Sequence, residues 1–148
     1  MKKKNFFLAA IAGTVAFVVV GMSIYGLFLG DFLNAHSGLT NDLLEKVNKQ
    51  MNEINWIAFV LFNLAGGFMI TTILDWAGVK TLLGGLRTGA LIGFLISGYW
   101  IFTMLSMTNT YTWTSTISQV IGETVLIAIV GAVVGWTLGS RKDTKTVN

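Results

Sequence analysis

At 148 residues, with 53% of them hydrophobic, 11% charged and a formal net charge of +3, the chain has too few charged side chains for the water-facing surface of a soluble domain, which carries about 25%. Its basic residues sit in short clusters beside apolar segments. That distribution excludes the solvated basic face of a nucleic-acid binder, so no nucleic-acid partner is expected. There is no cysteine, which removes disulfides, thiolate metal sites and cysteine nucleophiles from consideration.

About 20 helical residues cross a hydrocarbon core roughly 30 Å thick. Four stretches are long and apolar enough, at about 6–30, 54–77, 81–105 and 117–139. The expected fold class is an all-α membrane protein: four transmembrane helices in an antiparallel up-down bundle, one domain over 1–148, surrounded by the lipid bilayer. The start MKKKNFFLAA has the layout of a secretory signal peptide. Its apolar run continues for roughly 24 residues, beyond the usual 7–15, and no clear small-x-small cleavage site follows it before Gly26, so an uncleaved first helix is expected. Gly26 and Gly30 place two small residues four apart near its end.

The polar stretch 31–55 holds a short amphipathic helix at about 40–52, because Leu39, Leu43, Leu44, Val47 and Met51 recur at helical spacing. Thr40 or Asp42 could cap it, with Glu45 completing a capping box, and Glu45 could pair with Lys49. Such a helix is either a lid over the bundle or a docking element. Asp31, His36, Asp42 and Glu45 share this loop, but one histidine without a partner spacing matches no zinc pattern. No metal and no cofactor are expected.

The second helix contains Gly66-Gly67, the candidate break in a chain without proline, and ends near Asp75. After a tight turn at Gly78–Lys80, the third carries Gly85, Gly89, Gly93 and Ser97 on one face, with Arg87 near its start. Small residues at this spacing let helices approach closely. The fourth helix repeats the pattern with Gly131, Gly135 and Gly139. These strips serve either packing within one bundle or a homo-oligomer interface. Asp75 and Arg87 are expected to form an ion pair between the second and third helices, each side chain tilting toward its own helix N-terminus and so toward the other.

Thr116, Gln119 and Glu123 share a face of the fourth helix, with Glu123 expected nearly two turns from its start. A charge within hydrocarbon costs roughly 2.5–3.5 kcal/mol at a helix centre on insertion scales, so each needs a reason. The stripe could carry a proton or an ion, or clasp another helix through Asn63 or Tyr25.

Lys2, Lys3 and Lys4, then Lys80 and Arg87, then Arg141, Lys142 and Lys145 all fall on one side of a four-span topology. Cytoplasmic loops retain positive charge, which puts both termini inside. Trp56, Trp100, Tyr111 and Trp113 then mark the outer boundary, Trp76 and Trp136 the inner one. Phosphate loops, HExxH and a second histidine for acid–base work are missing, so no catalytic residue and no enzyme activity are expected.

The segments VGMSIYGLFLGDFL, LLGGLRTGALIGF and IGETVLIAIVGAVVGW resemble a family of small four-helix bacterial membrane proteins of unknown function. In that family the first helix ends in a glycine–aromatic motif and a polar loop with a short helix follows. Ile24-Tyr25 stands here where such relatives tend to carry Trp-Tyr. The resemblance implies the topology and a bacterial inner membrane. The expected function is that of a non-enzymatic accessory or structural subunit of a membrane complex or a small homo-oligomer; the alternative is a small transporter or ion or proton channel using the polar stripe around Glu123. Orientation is tested by cysteine labelling in whole cells. Thr112→Cys should react with an impermeant thiol reagent from outside and Thr144→Cys should not; the reverse pattern would invert the topology.

Overall fold

A computed structural model describes residues 3–49 and 53–140. Lys2, Met51, Arg141, Lys142, Thr144 and Lys145 therefore lie outside the described residues. The elements are α1 (Lys3–Ser23), a π-helical turn (Ile24–Leu29), α2 (Gly30–Ala35), α3 (Asn41–Val47), α4 (Trp56–Trp76), α5 (Leu82–Met107) and α6 (Trp113–Gly139). α1, the π-turn and α2 form one continuous rod, so the chain has four helices long and apolar enough to cross a membrane. It is a multi-pass, all-helical bundle. α2, α3 and residues 108–112 gather at one end, called here the loop end. The opposite, terminal end holds the start of α1, the end of α6 and the 77–81 turn.

Local chemistry sets the helix boundaries. The Asn55 side chain accepts the Ala58 amide (3.1 Å), and the Thr81 side chain accepts the Gly84 amide (3.1 Å). Thr112 and Ser115 form a reciprocal capping box at the start of α6. The helix thus starts four residues before the boundary expected from hydropathy, because Trp113–Thr116 are polar enough to look like loop but follow the Thr112 cap. α4 ends in a Schellman motif. Gly78 takes φ +68, Val79 N–H donates to Leu74 O (2.9 Å), Gly78 N–H donates to Asp75 O (3.0 Å), and Val79 packs against the core that includes Leu74.

The amphipathic helix is shorter than expected. Thr40 caps it without a side-chain bond, and the ion pair on it is Lys46–Asp42 (2.9 Å, exposed) instead of Glu45–Lys49. The Gly66-Gly67 break does not occur, since α4 runs through both. Gly67 is instead a crossing point: a Cβ there would lie 2.7 Å from Thr14 N and 2.8 Å from Ala10 O. The irregularity falls in the first rod, where Gly30 N–H donates to Tyr25 O and closes the wider π-turn. A Cβ on Gly26 would meet nothing within 4 Å and one on Gly30 would crowd its own π-turn, so that glycine pair does not pack helices together.

α6 is the axis of the bundle. Half of its most apolar window is buried, against 17% for α5, because α1, α4 and α5 all pack on α6 whereas α4 and α5 hardly touch. The two glycine strips face each other within the chain. A Cβ on Gly89 would sit 2.5 Å from Ile127 O, one on Gly93 3.2 Å from Glu123 O, and one on Gly135 3.0 Å from Gly85 Cα; Gly139 would collide with Lys80 O. Ser97, in the same strip, is buried and donates to Gly93 O (2.6 Å). Ala9, Ile70, Leu74, Val130, Val134 and Leu138 close the terminal half as an apolar core. Overpacking such a contact costs about 1–3 kcal/mol or more. Gly89→Leu should therefore lower the thermal unfolding midpoint in detergent, and Gly98→Leu, at a position with nothing within 4 Å, should leave it unchanged.

Candidate functional site

Glu123 lies deeper than the sequence suggests. With α6 starting at Trp113, it is ten residues, roughly 15 Å, from that end at about 1.5 Å per residue. Trp113 and Trp136, both exposed, bracket the helix, so Glu123 stands near the middle of the span. It is half-buried and forms no ion pair with a described residue. Its partner is Tyr25, whose hydroxyl donates to Oε1 at 2.8 Å. Asn63, the other partner considered, is buried on α4 and gives its amide to Phe59 O (2.8 Å).

Two features of the chain place Tyr25 there. The π-turn changes the helix phase of the first rod as it passes α6. Gly122 lets the rod approach: a Cβ at that position would crowd Leu29 Cδ2 at 2.7 Å and would stand in ordinary contact with the Tyr25 hydroxyl at 3.4 Å. Gly122 was missed in the sequence because it belongs to neither small-residue strip, although its place beside the one charge of α6 was a usable signal. The π-turn had none.

Toward the loop end, α6 continues the polar face. Gln119 lies one turn from Glu123, and Thr116 lies seven residues away on a similar face. Gln119 lines a pocket of about 190 Å³ together with Asn34, Ser37, Asn48, Tyr111 and Ser115. α3 roofs it through Leu44 and Val47, the lid arrangement. The roof is tied down by Asn48 Nδ2–H donating to Asn34 Oδ1 (3.2 Å), and the neighbouring loops by Gly38 N–H to Thr110 O (3.0 Å) and Thr112 Oγ1–H to His36 O (2.6 Å).

Asp75 and Arg87 are not brought together, and no ion pair joins them. The strip Gly85–Gly89 faces α6, so Arg87, two residues from each, points away and is exposed. Asp75 sits on α4, which scarcely contacts α5. The tilt of the side chains is as expected, but the helices are not neighbours. His36 stacks on Phe32 (ring centroids 4.1 Å apart), and its Nδ1 lies 2.9 Å from Phe32 O. Among the described residues no three His, Asp or Glu side chains converge on one point.

No protein-family model matches the chain, and no curated protein or solved structure is significantly similar to it. What the fold and the polar cluster define is a multi-pass helical membrane protein with a hydrogen-bonded carboxyl group inside its bundle.

The Tyr25–Glu123 bond is measurable as a coupling. Leaving one buried polar partner unsatisfied costs about 1–3 kcal/mol, whereas removing both can be nearly neutral. Tyr25→Phe and Glu123→Leu should each destabilise in that range, and the double variant should recover part of the loss. Thermal stability of the four proteins, read as a double-mutant cycle, checks this; zero coupling would show that the two side chains do not cooperate.

Proposed function

We propose that this protein is a non-enzymatic membrane protein that takes up a proton or small cation at Glu123 from the outer side and acts as a small transporter. The observation that carries the reading is a carboxyl group near mid-span with no basic partner among the described residues and a tyrosine hydroxyl as its hydrogen-bond donor. An ionisable group at that depth is expensive, and such groups mark ion and proton pathways. The polar pocket supplies access from the loop end. We assign that end to the outside because Lys80 and Arg87 lie at the other. The bacterial plasma membrane, with both termini cytoplasmic, is the location that fits the charge pattern and the family resemblance. The terminal half is closed in this conformation by apolar side chains, so on this reading the protein is outward-facing and release requires the helices to part there, where α4 and α5 are only sparsely in contact.

A second reading, an accessory subunit of a larger membrane assembly, draws on α5. That helix is held almost entirely by α6 and leaves most of its surface exposed. A homo-oligomer through the glycine strips lacks this support, since both strips are occupied within one chain.

Reconstituted flux decides between transporter and subunit. Proton or ion flux in liposomes should fall to the protein-free level in Glu123→Gln. Unchanged flux in that variant, with a stable partner retained through purification in mild detergent, would favour the subunit reading.

A further inference from the structure

The pocket beneath α3 is walled by two kinds of side chain. Leu33, Leu39, Leu44 and Val47 form an aliphatic side, while amides and hydroxyls from α2, the 36–40 loop, residues 110–112 and α6 form a polar one. Among the described residues, none that lines it is charged. The neighbouring loop is nevertheless rich in charge. Asp42 and Lys46 spend theirs on each other at the exposed surface of α3, and Glu45 is exposed as well. Glu123, one turn beyond Gln119 on α6, does not line the pocket either.

Much of the polar wall is already engaged. Asn48 Nδ2–H donates to Asn34 Oδ1 (3.2 Å), and the Ser37 hydroxyl donates to Leu39 O (3.4 Å). The Ser115 hydroxyl donates to Thr112 O (3.0 Å), which also accepts the Thr116 amide (2.9 Å); that competition leaves the buried Thr116 hydroxyl, off the pocket wall, without a partner. Gln119 differs. Its half-buried carboxamide makes no hydrogen bond to a described residue, so it offers one carbonyl acceptor and two N–H donors to whatever fills the space.

We propose that this pocket is a binding site for a small uncharged solute carrying both hydrogen-bond donors and acceptors, an amide or a polyol, and that Gln119 recognises it. Volume sets the size. About 190 Å³ holds about six non-hydrogen atoms if each takes the roughly 30 Å³ of a water in the liquid. Charge sets the class. An ion taken from water without a counter-charge is strongly disfavoured, and this wall supplies none. An uncharged solute exchanges its water hydrogen bonds for those of Gln119 and lays its carbon edge on the leucines. The enclosure is formed in advance, because the Asn48–Asn34, Gly38–Thr110 and Thr112–His36 bonds hold the roof and the loops in place. Little ordering then has to accompany binding. The site goes beyond the reading of Glu123 as the cation-binding group and stands whether or not that reading holds.

The test uses the full chain in lipid nanodiscs and magnetisation transfer from protein to solute by NMR. Acetamide and glycerol are the uncharged probes; acetate and acetamidinium keep the shape of acetamide and change its charge. At least one uncharged probe should bind saturably, and the pair decides between amide and polyol. Both charged probes should bind at least tenfold more weakly. Gln119→Leu should weaken the bound probe about tenfold, since two neutral hydrogen bonds are lost. Leu44→Trp, which fills the pocket from its roof, should abolish binding, and Glu45→Gln on the exposed surface of α3 should not alter it. No saturable binding of either uncharged probe, or equal binding of a charged one, overturns the site on the wild-type protein, with no variant required to fold. Wild-type binding in Gln119→Leu overturns recognition by that residue, and wild-type binding in Leu44→Trp overturns the location. None of these outcomes involves Glu123, so the flux experiment on that residue is read separately.

Discussion

Backbone-to-backbone approach is the constraint from which the rest of this bundle follows. Lipid tails are as apolar as leucine, so helices gain little by hiding side chains from them and associate through close contact instead. α5 meets α6 where neither has a Cβ in the way, and Gly13 and Gly67 do the same for α1 and α4, with a Cβ on Gly13 3.6 Å from Gly67 Cα and one on Gly67 only 2.7 Å from Thr14 N. Each such crossing fixes the rotation of a helix as well as its distance. Once Gly85, Gly89 and Gly93 face α6, Arg87 must face away, and once Gly122 faces the first rod, Glu123 must turn into the bundle beside Tyr25.

Those rotations separate the molecule into two chemically different halves. Between Ala9 and Leu138 the interior is aliphatic, and its threonines donate to their own helix, which leaves them no demand on a neighbour. In the loop half, by contrast, the interior holds a carboxyl group, an amide, two tyrosines and an orphan hydroxyl beneath a lid pinned by side-chain and backbone hydrogen bonds. The π-turn contributes to the same asymmetry. It lies in the loop half, at the level of the pair, and it delivers the tyrosine; such turns occur frequently at functional positions.

Much of this was legible in the residues. Span number, alternating direction and the boundaries of α4 and α5 to within two residues follow from the length of the apolar runs, because hydrocarbon thickness sets a minimum helix length. The glycine strips and the Thr116–Gln119–Glu123 stripe were visible because residues three, four and seven apart share a face of a helix. All of these are properties of a single segment, determined by local periodicity.

What the sequence could not settle was every question that involves two helices at once. Asn63 and Tyr25 were equal candidates for Glu123, and Asp75 and Arg87 had compatible depths and tilts. The choice depended on how far each helix is rotated and which helices adjoin, and these are set by the sum of all glycine crossings. α4 and α5 are joined by a short turn, yet the Gly78 motif and the contact of Lys80 with Gly139 steer α5 onto α6. The extra residue of the π-turn and the competition of Ser115 with Thr116 for one carbonyl were hidden for a related reason. Both are decided by which backbone acceptors are already occupied, and only the tertiary structure records that.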